Sequence, residues 1–379
     1  MSREKKILII AGEASGDLHG GNLAKALMAL RPDLSISGMG GKMMREAGVK
    51  TLQDISRLAV VGIWEVLTHL KDIRAAFNLM EETIIRERPD AVVLIDYPDF
   101  NLRMAKKAKA AGVKVVYYVS PQVWAWRKGR IKNIAKVVDR MLVVFPFEEA
   151  VYREAGVKCS FVGHPLLDEE TQTRSKEELA DKFGLDPQKP ILGILPGSRK
   201  KELNFHLPVM LKAFSRIKAK MPDVQAVIPL APTLSLDDFR GYLAGYEDVR
   251  LINDDAPGVM TVMDAAVVAS GTATLQTALK GKPMVIIYKL SPITYWLGKM
   301  LIDVPFIGMP NLIAGHEAVP ELIQDEASPE RISSLILKMF YDKAYNCDIV
   351  RNLGFVSEKL GGPGASERAA LEVLKEAGI

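Results

Sequence analysis

Cysteine is nearly absent from this sequence: only Cys159 and Cys347 occur in 379 residues. Two thiols so far apart exclude a disulfide framework and a multi-cysteine metal site, and they fit a reducing cytoplasm. Histidine is scarce as well. His19, His69, His164, His206 and His316 form no H-x-x-x-H pair, and no Asp-x-Asp triplet occurs, so no metal is expected. Long apolar runs are missing, and without about 18 consecutive apolar residues no helix should span a bilayer. The apolar run that follows Met1-Ser2-Arg3-Glu4-Lys5-Lys6 is cut by Glu13 and Asp17, unlike a secretory core, so the chain reads as mature from residue 1. Neither G-x-G-x-x-G after the first strand pattern nor G-x-x-x-x-G-K-[ST] is present, and Ser35-Ile36-Ser37-Gly38 lacks the acid that would hold a ribose. A nicotinamide enzyme and a Walker-type nucleotidase are thereby disfavoured, and no cofactor is expected.

What is present is ordinary globular material, 48% hydrophobic and 25% charged, enough for two or three domains. The net charge of +4 conceals an asymmetry. Eleven lysines and arginines lie between Arg103 and Arg140 against one acid, Asp139, so that segment carries +10 and the remainder −6. Such a concentration suggests an anionic partner: phosphate, nucleic acid or an acidic lipid surface.

Short β-branched runs at Ile7–Ala11, Ala91–Ile95, Lys114–Val119 and Arg140–Val144 alternate with helical patterns, the signature of a parallel α/β sheet. The rhythm breaks near Gly163–Glu177 and resumes at Pro190–Leu195, Gln225–Pro229, Val249–Ile252, Ala265–Ala269 and Pro283–Ile287. Two Rossmann-like domains follow, and in such sheets ligands bind beyond the carboxyl ends of the strands.

Four strand exits carry chemistry-bearing residues. Gly12-Glu13-Ala14-Ser15-Gly16-Asp17 offers exposed amides at a helix start, with Asp17 as a cap and Glu13 pointing into the loop. Asp96-Tyr97-Pro98-Asp99-Phe100-Asn101 puts a carboxylate where partial burial would raise its pKa toward that of a general base; Asp99 reads as a helix cap. Pro196-Gly197-Ser198-Arg199-Lys200-Lys201 suggests a phosphate clamp centred on Arg199, whose planar fork binds two oxygens. Ser270-Gly271-Thr272 is a second anion site at a helix N-terminus. Ser120-Pro121-Gln122-Val123-Trp124-Ala125-Trp126 is a single aromatic cluster, too little for a nucleic-acid groove, so no nucleic acid is expected. Val61, Ile63 and Trp64 lie in an apolar stretch that serves either as core or as a contact to acyl chains and a bilayer surface.

Five segments in order carry a resemblance across the chain: Ala11–Asp17, Ile95–Asn101, Ser120–Trp126, Leu195–Arg199 and Pro310–Gly315 resemble the lipid-A-disaccharide synthase family. The resemblance implies a GT-B glycosyltransferase: two facing Rossmann-like domains, with C-terminal helices returning to the first. Its borders would be 1–165 for the acceptor domain, 166–365 for the UDP-sugar domain and 366–379 for the returning helix. It implies an inverting, metal-independent transfer from UDP-2,3-diacylglucosamine to 2,3-diacylglucosamine 1-phosphate, giving a β-1,6 disaccharide phosphate and UDP. Asp96 matches the general base, and Glu13 an acid that either positions the acceptor or acts as base. Gly12, Ser15 and Trp124 fall on the acceptor side; Ser198, Arg199, Ser270, Gly271, Thr272, Gln276, Asn311 and Gln324 fall on the donor side. Gln276 departs from the family's usual glutamate, which puts donor affinity in question. The implied partners are the two lipid substrates and the anionic face of the inner membrane, met peripherally from the cytoplasm, with a homodimer left open. A UDP-N-acetylglucosamine 2-epimerase, a murein-type glycosyltransferase and a basic membrane-surface or RNA-binding module are the competing readings.

Overall fold

The computed structural model describes residues 4–55, 70–121, 128–168, 174–253, 255–291, 295–296 and 304–379. The chain divides into two compact units, one of Met1–Glu169 with Leu360–Ile379, the other of Glu170–Lys359.

In the first unit seven parallel strands are β1 (Lys6–Ala11), β2 (Ser35–Gly40), β3 (Lys50–Asp54), β4 (Ala91–Ile95), β5 (Lys114–Tyr118), β6 (Arg140–Val143) and β7 (Cys159–Phe161). They lie in the order β3-β2-β1-β4-β5-β6-β7. Every residue of β4 is buried, because helices cover both faces of a parallel sheet and such strands need apolar residues throughout. β3 at the edge is Lys-Thr-Leu-Gln-Asp, only partly covered, and its polarity hides it from a reading based on apolar runs. β5 stops at Tyr118, one residue short of the expected Val119, which turns to φ 62° while its N–H still donates to the Leu142 carbonyl of β6 at 3.1 Å.

The C-terminal helix Ala365–Ala377 belongs to this first unit and packs against the helix Ala14–Leu30 through a face that buries Ala365, Ala369, Ala370, Val373 and Leu374. Asp168 secures its start. Its carboxylate accepts the N–H groups of Gly364 (2.7 Å), Ala365 (2.9 Å) and Ser366 (2.7 Å), the orphan donors of a helix N-terminus. Arg368 Nε donates to the carbonyl of Val162 at 2.7 Å, fastening the helix to the exit of β7.

The second unit holds six parallel strands: β8 (Ile191–Leu195), β9 (Gln225–Pro229), β10 (Val249–Ile252), β11 (Ala265–Ala269), β12 (Met284–Tyr288) and β13 (Glu321–Ile323). Their order is β10-β9-β8-β11-β12-β13. Its core includes Ile191, Ile194, Val267, Ile286 and the helix residues Leu207, Met210 and Phe214. β13 has three residues and begins with Glu321, so the sequence reads as loop there.

Each sheet has one place where strand order reverses: between β1 and β4 in the first unit, and between β8 and β11 in the second. At such a switch point the following connections leave to opposite sides and open a crevice. The four loops singled out from the sequence are the exits of these four strands.

Candidate active site

In the first unit the switch point is built around a strained turn. After β4 both Asp96 (φ 47°) and Tyr97 (φ 46°) adopt the left-handed conformation, which costs roughly 1–2 kcal/mol at each non-glycine residue. Hydrogen bonds hold it there. The Asp96 carbonyl accepts from Asn101 Nδ2 at 2.7 Å and from the buried Tyr117 hydroxyl at 2.6 Å, while the Asp96 N–H donates to the Tyr118 carbonyl at 3.1 Å. Asn101, fully buried, also donates to the Ile95 carbonyl at 3.0 Å. Pro98 then opens the helix Pro98–Ala110, its fixed φ suited to the first turn. That helix starts earlier than the sequence suggested, so Asp99 lies inside its first turn and does not cap it; its exposed carboxylate pairs with Arg130 at 3.3 Å.

The turn lodges Tyr97 against the β1 exit. A Cβ at Gly12 would stand 2.1 Å from the Tyr97 ring, so only glycine fits there. Glu13 precedes the helix Ala14–Leu30 in extended conformation and makes no capping bond; it and Ser15 are exposed. Asp17 departs from its expected role. Instead of capping its own helix it is buried and accepts the N–H groups of Gly41 (2.6 Å), Met43 (2.9 Å) and Met44 (3.1 Å), capping the neighbouring helix Lys42–Glu46. Burial, and after it the charge of Glu13, pushes the Asp96 carboxyl up to about 6. The product is a carboxylate beside a second acid at a strand exit, with a pKa close enough to neutrality to take a proton.

In the second unit the exit of β8 is already internally bonded. Gly197 turns at φ 111°, and Glu202 reaches back to accept the N–H groups of Ser198 (2.8 Å) and Arg199 (3.3 Å). The loop amides that the sequence offered to a phosphate are therefore occupied by Glu202. The Arg199 guanidinium remains exposed, meeting Glu202 at 3.4 Å. Lys200 pairs with Asp238 at 2.8 Å. His206, which sequence reasoning left aside, is buried and bridges two strand exits: Nδ1 lies 3.0 Å from the Pro196 carbonyl, and Nε2 accepts the Lys289 N–H at 3.1 Å. Burial lowers its pKa, which suits the neutral ring these two bonds require.

Beyond β11, Ser270 is fixed by its hydroxyl to the Ile307 carbonyl at 3.2 Å, while Gly271 and Thr272 stand exposed at the start of the helix Thr272–Leu279. Gln276 lies partly buried on that helix. Asn311 and Gln324 serve the frame. The Asn311 amide bonds Val319 in both directions at 3.0 Å and Glu321 at 3.2 Å, and the Gln324 amide brackets Leu290 at 2.7 and 3.1 Å. Glu321 accepts the N–H groups of Ile307 (2.7 Å) and Gly308 (2.9 Å). Trp124, Val61, Ile63 and Trp64 lie outside the described residues. Among the described residues no His, Cys, Asp and Glu cluster of metal-binding shape occurs, and no helix is long and apolar enough to cross a membrane.

The basic segment is partly neutralised by the fold. Lys107 meets Glu81 at 2.8 Å, Lys109 pairs with Asp139, and Arg140 meets Glu372 at 3.1 Å and Glu376 at 3.4 Å.

Comparison with known proteins adds sequence and fold relatives. The family model described as lipid-A-disaccharide synthetase matches residues 7–350. A lipid-A-disaccharide synthase of Geobacter sulfurreducens is 50% identical over 374 residues, covering 98% of this chain and 97% of its own. One from Coxiella burnetii is 46% identical over 366 residues, covering 97% of each. Among solved structures, a UDP-GlcNAc 2-epimerase from Neisseria meningitidis bound to UDP-GlcNAc superposes with a TM-score of 0.69 at 12% identity, covering 98% of this chain and 100% of that one. A glycosyltransferase from Rickettsia africae does so with a TM-score of 0.60 at 12% identity, covering 99% of both. At such identities the likeness concerns the fold alone, a GT-B architecture.

Proposed function

The chain belongs to the lipid-A-disaccharide synthetase family, and from that premise we propose which residues carry out the glycosyl transfer. The donor is UDP-2,3-diacylglucosamine and the acceptor 2,3-diacylglucosamine 1-phosphate. Asp96 takes the proton from the acceptor 6-hydroxyl as that oxygen forms a bond to the anomeric carbon of the donor. The bond from that carbon to the diphosphate breaks with inversion, and UDP leaves. Arg199 and the N-terminal amides of the helix Thr272–Leu279 oppose the charge that develops on the diphosphate. Glu13 sets the basicity of Asp96 by like-charge repulsion and, with Gly12 and Ser15, forms the acceptor side of the turn. Ser198, Ser270 and Gln276 border the donor site; Asn311 and Gln324 shape it from behind.

The observation that supports this assignment best is the pKa of about 6 at Asp96, produced by burial and by Glu13 at the strand-order switch point. A solvated surface carboxylate would have no such shift. The reading is tested by mass-spectrometric detection of disaccharide phosphate formed by Asp96→Asn. The expected result is a folded protein whose turnover falls by roughly 10² to 10⁴; near-normal turnover would remove Asp96 from the chemistry. Peripheral contact with an anionic membrane is part of the same proposal, supported by the +10 segment.

A further inference from the structure

The fold ties some cations of the basic segment to acids and leaves others, Lys132 and Lys136 among them, without an ion pair among the described residues. Lys107, Lys109, Lys114 and Arg140 are tied to acids, Lys114 to Glu376 at 3.2 Å. Arg103 and Lys106 form no ion pair among the described residues. They stand one turn apart on one face of the helix Pro98–Ala110, and with Arg130 they line a cavity of about 210 Å³ between that helix and the helix Ile131–Val137.

Three properties of this cavity identify its ligand. Arg103, Lys106 and Arg130 against the one lining carboxylate, Asp99, leave a local charge of +2. The Arg130–Asp99 pair is exposed on the Asp99 side and contributes little, so Arg130 can turn to a ligand without a large loss. A phosphate monoester carries about −1.5 to −2 at neutral pH and matches that charge, whereas a phosphodiester headgroup brings only half as much. Leu102, Ile134 and Val137 line the remaining wall, suiting a phosphate attached to an amphipathic molecule. Finally, Pro98 and Asp99, which border the cavity, belong to the same turn that presents Asp96.

We infer that this groove binds the 1-phosphate of the acceptor, setting the sugar so that its 6-hydroxyl faces the Asp96 turn. The inference rests on the acceptor named above. It adds specificity determinants, Arg103, Lys106 and Arg130, which none of the motifs supplied.

The test pairs removal of the cations with removal of the phosphate. Wild type and the double variant Arg103→Ala/Lys106→Ala are titrated in neutral detergent micelles with diacylglucosamine 1-phosphate and with dephosphorylated diacylglucosamine. Both equilibrium binding and transfer are followed. Loss of two charge-assisted contacts should weaken binding of the phosphorylated lipid by roughly tenfold or more. Its KM should rise in parallel, while the dephosphorylated lipid and the KM for the UDP-sugar should not change. Equal weakening for both lipids, or for neither, would overturn the inference. So would intact micellar binding accompanied by lost flotation on phosphatidylglycerol vesicles, since the groove would then serve bilayer headgroups. Because binding is read without turnover, a wild type that binds the phosphorylated lipid selectively but transfers nothing would refute the assigned reaction and leave the groove standing. Should the double variant fold poorly, Lys106→Gln alone tests the same coupling at an exposed position.

Discussion

Asp96 is a residue whose charge works against the fold. Its carboxyl titrates near 6 in the folded chain and near the ordinary value of about 4 when unfolded. Because its pKa is raised on folding, its stabilising contribution is complete below about pH 4 and is lost as the pH rises through about 6. Asp96→Asn should therefore melt at a higher temperature than wild type at pH 7.5, by up to about 3 kcal/mol of stability, with the gap closing near pH 4. Thermal melts at the two pH values check this, and a lower Tm at pH 7.5 would contradict the buried-charge account. The pH dependence of kcat/KM should have an acid limb near pH 6, falling as Asp96 protonates. Glu13→Gln removes the like charge and should move that limb to lower pH; an unmoved limb would show that Glu13 does not reach Asp96 electrostatically.

At the scale of elements, the β4 exit is aimed from behind by β5. The Tyr117 hydroxyl is one of two donors on the Asp96 carbonyl, so Tyr117→Phe leaves the strained turn with Asn101 as its remaining support there. The expected loss is about 1 kcal/mol of stability and a several-fold fall in kcat with the KM for the UDP-sugar unchanged. Kinetics showing an altered KM and a normal kcat would mean that the turn is held by other means. These supports also mark what a sequence can tell. The buried strands β1, β4, β8 and β11 are legible because a two-sided core demands continuous apolar residues, and with them the four exits that carry Glu13, Asp96, Arg199 and Gly271. Edge strands β3 and β13 are not, since one side needs no apolar cover. The partners of Asp17, Glu202 and Glu321 were illegible for a different reason. Each is an acid aimed at backbone N–H groups, and the backbone leaves no trace in residue identity. Glu202 shows the consequence, closing amides that the residue pattern presents as open.

For the whole molecule, the informative contact is Asp168 on the residues that start the C-terminal helix. Asp168→Ala leaves three helix-start donors without this acceptor, which should cost about 1–3 kcal/mol. Hydrogen exchange should then rise in Ala365–Ala377 and in the Ala14–Leu30 helix beneath it, with β8–β12 unaffected. Uniform protection would mean that the apolar helix face alone is sufficient.

That same helix sets an order of events during synthesis. The ribosome delivers β1 to β7 first, yet the face of Ala14–Leu30 that the C-terminal helix will cover must wait until all of Glu170–Lys359 has been made. The later unit is a continuous stretch of chain and can close while the earlier one is still incomplete. For this protein, vectorial translation and completion of the domains run in opposite directions.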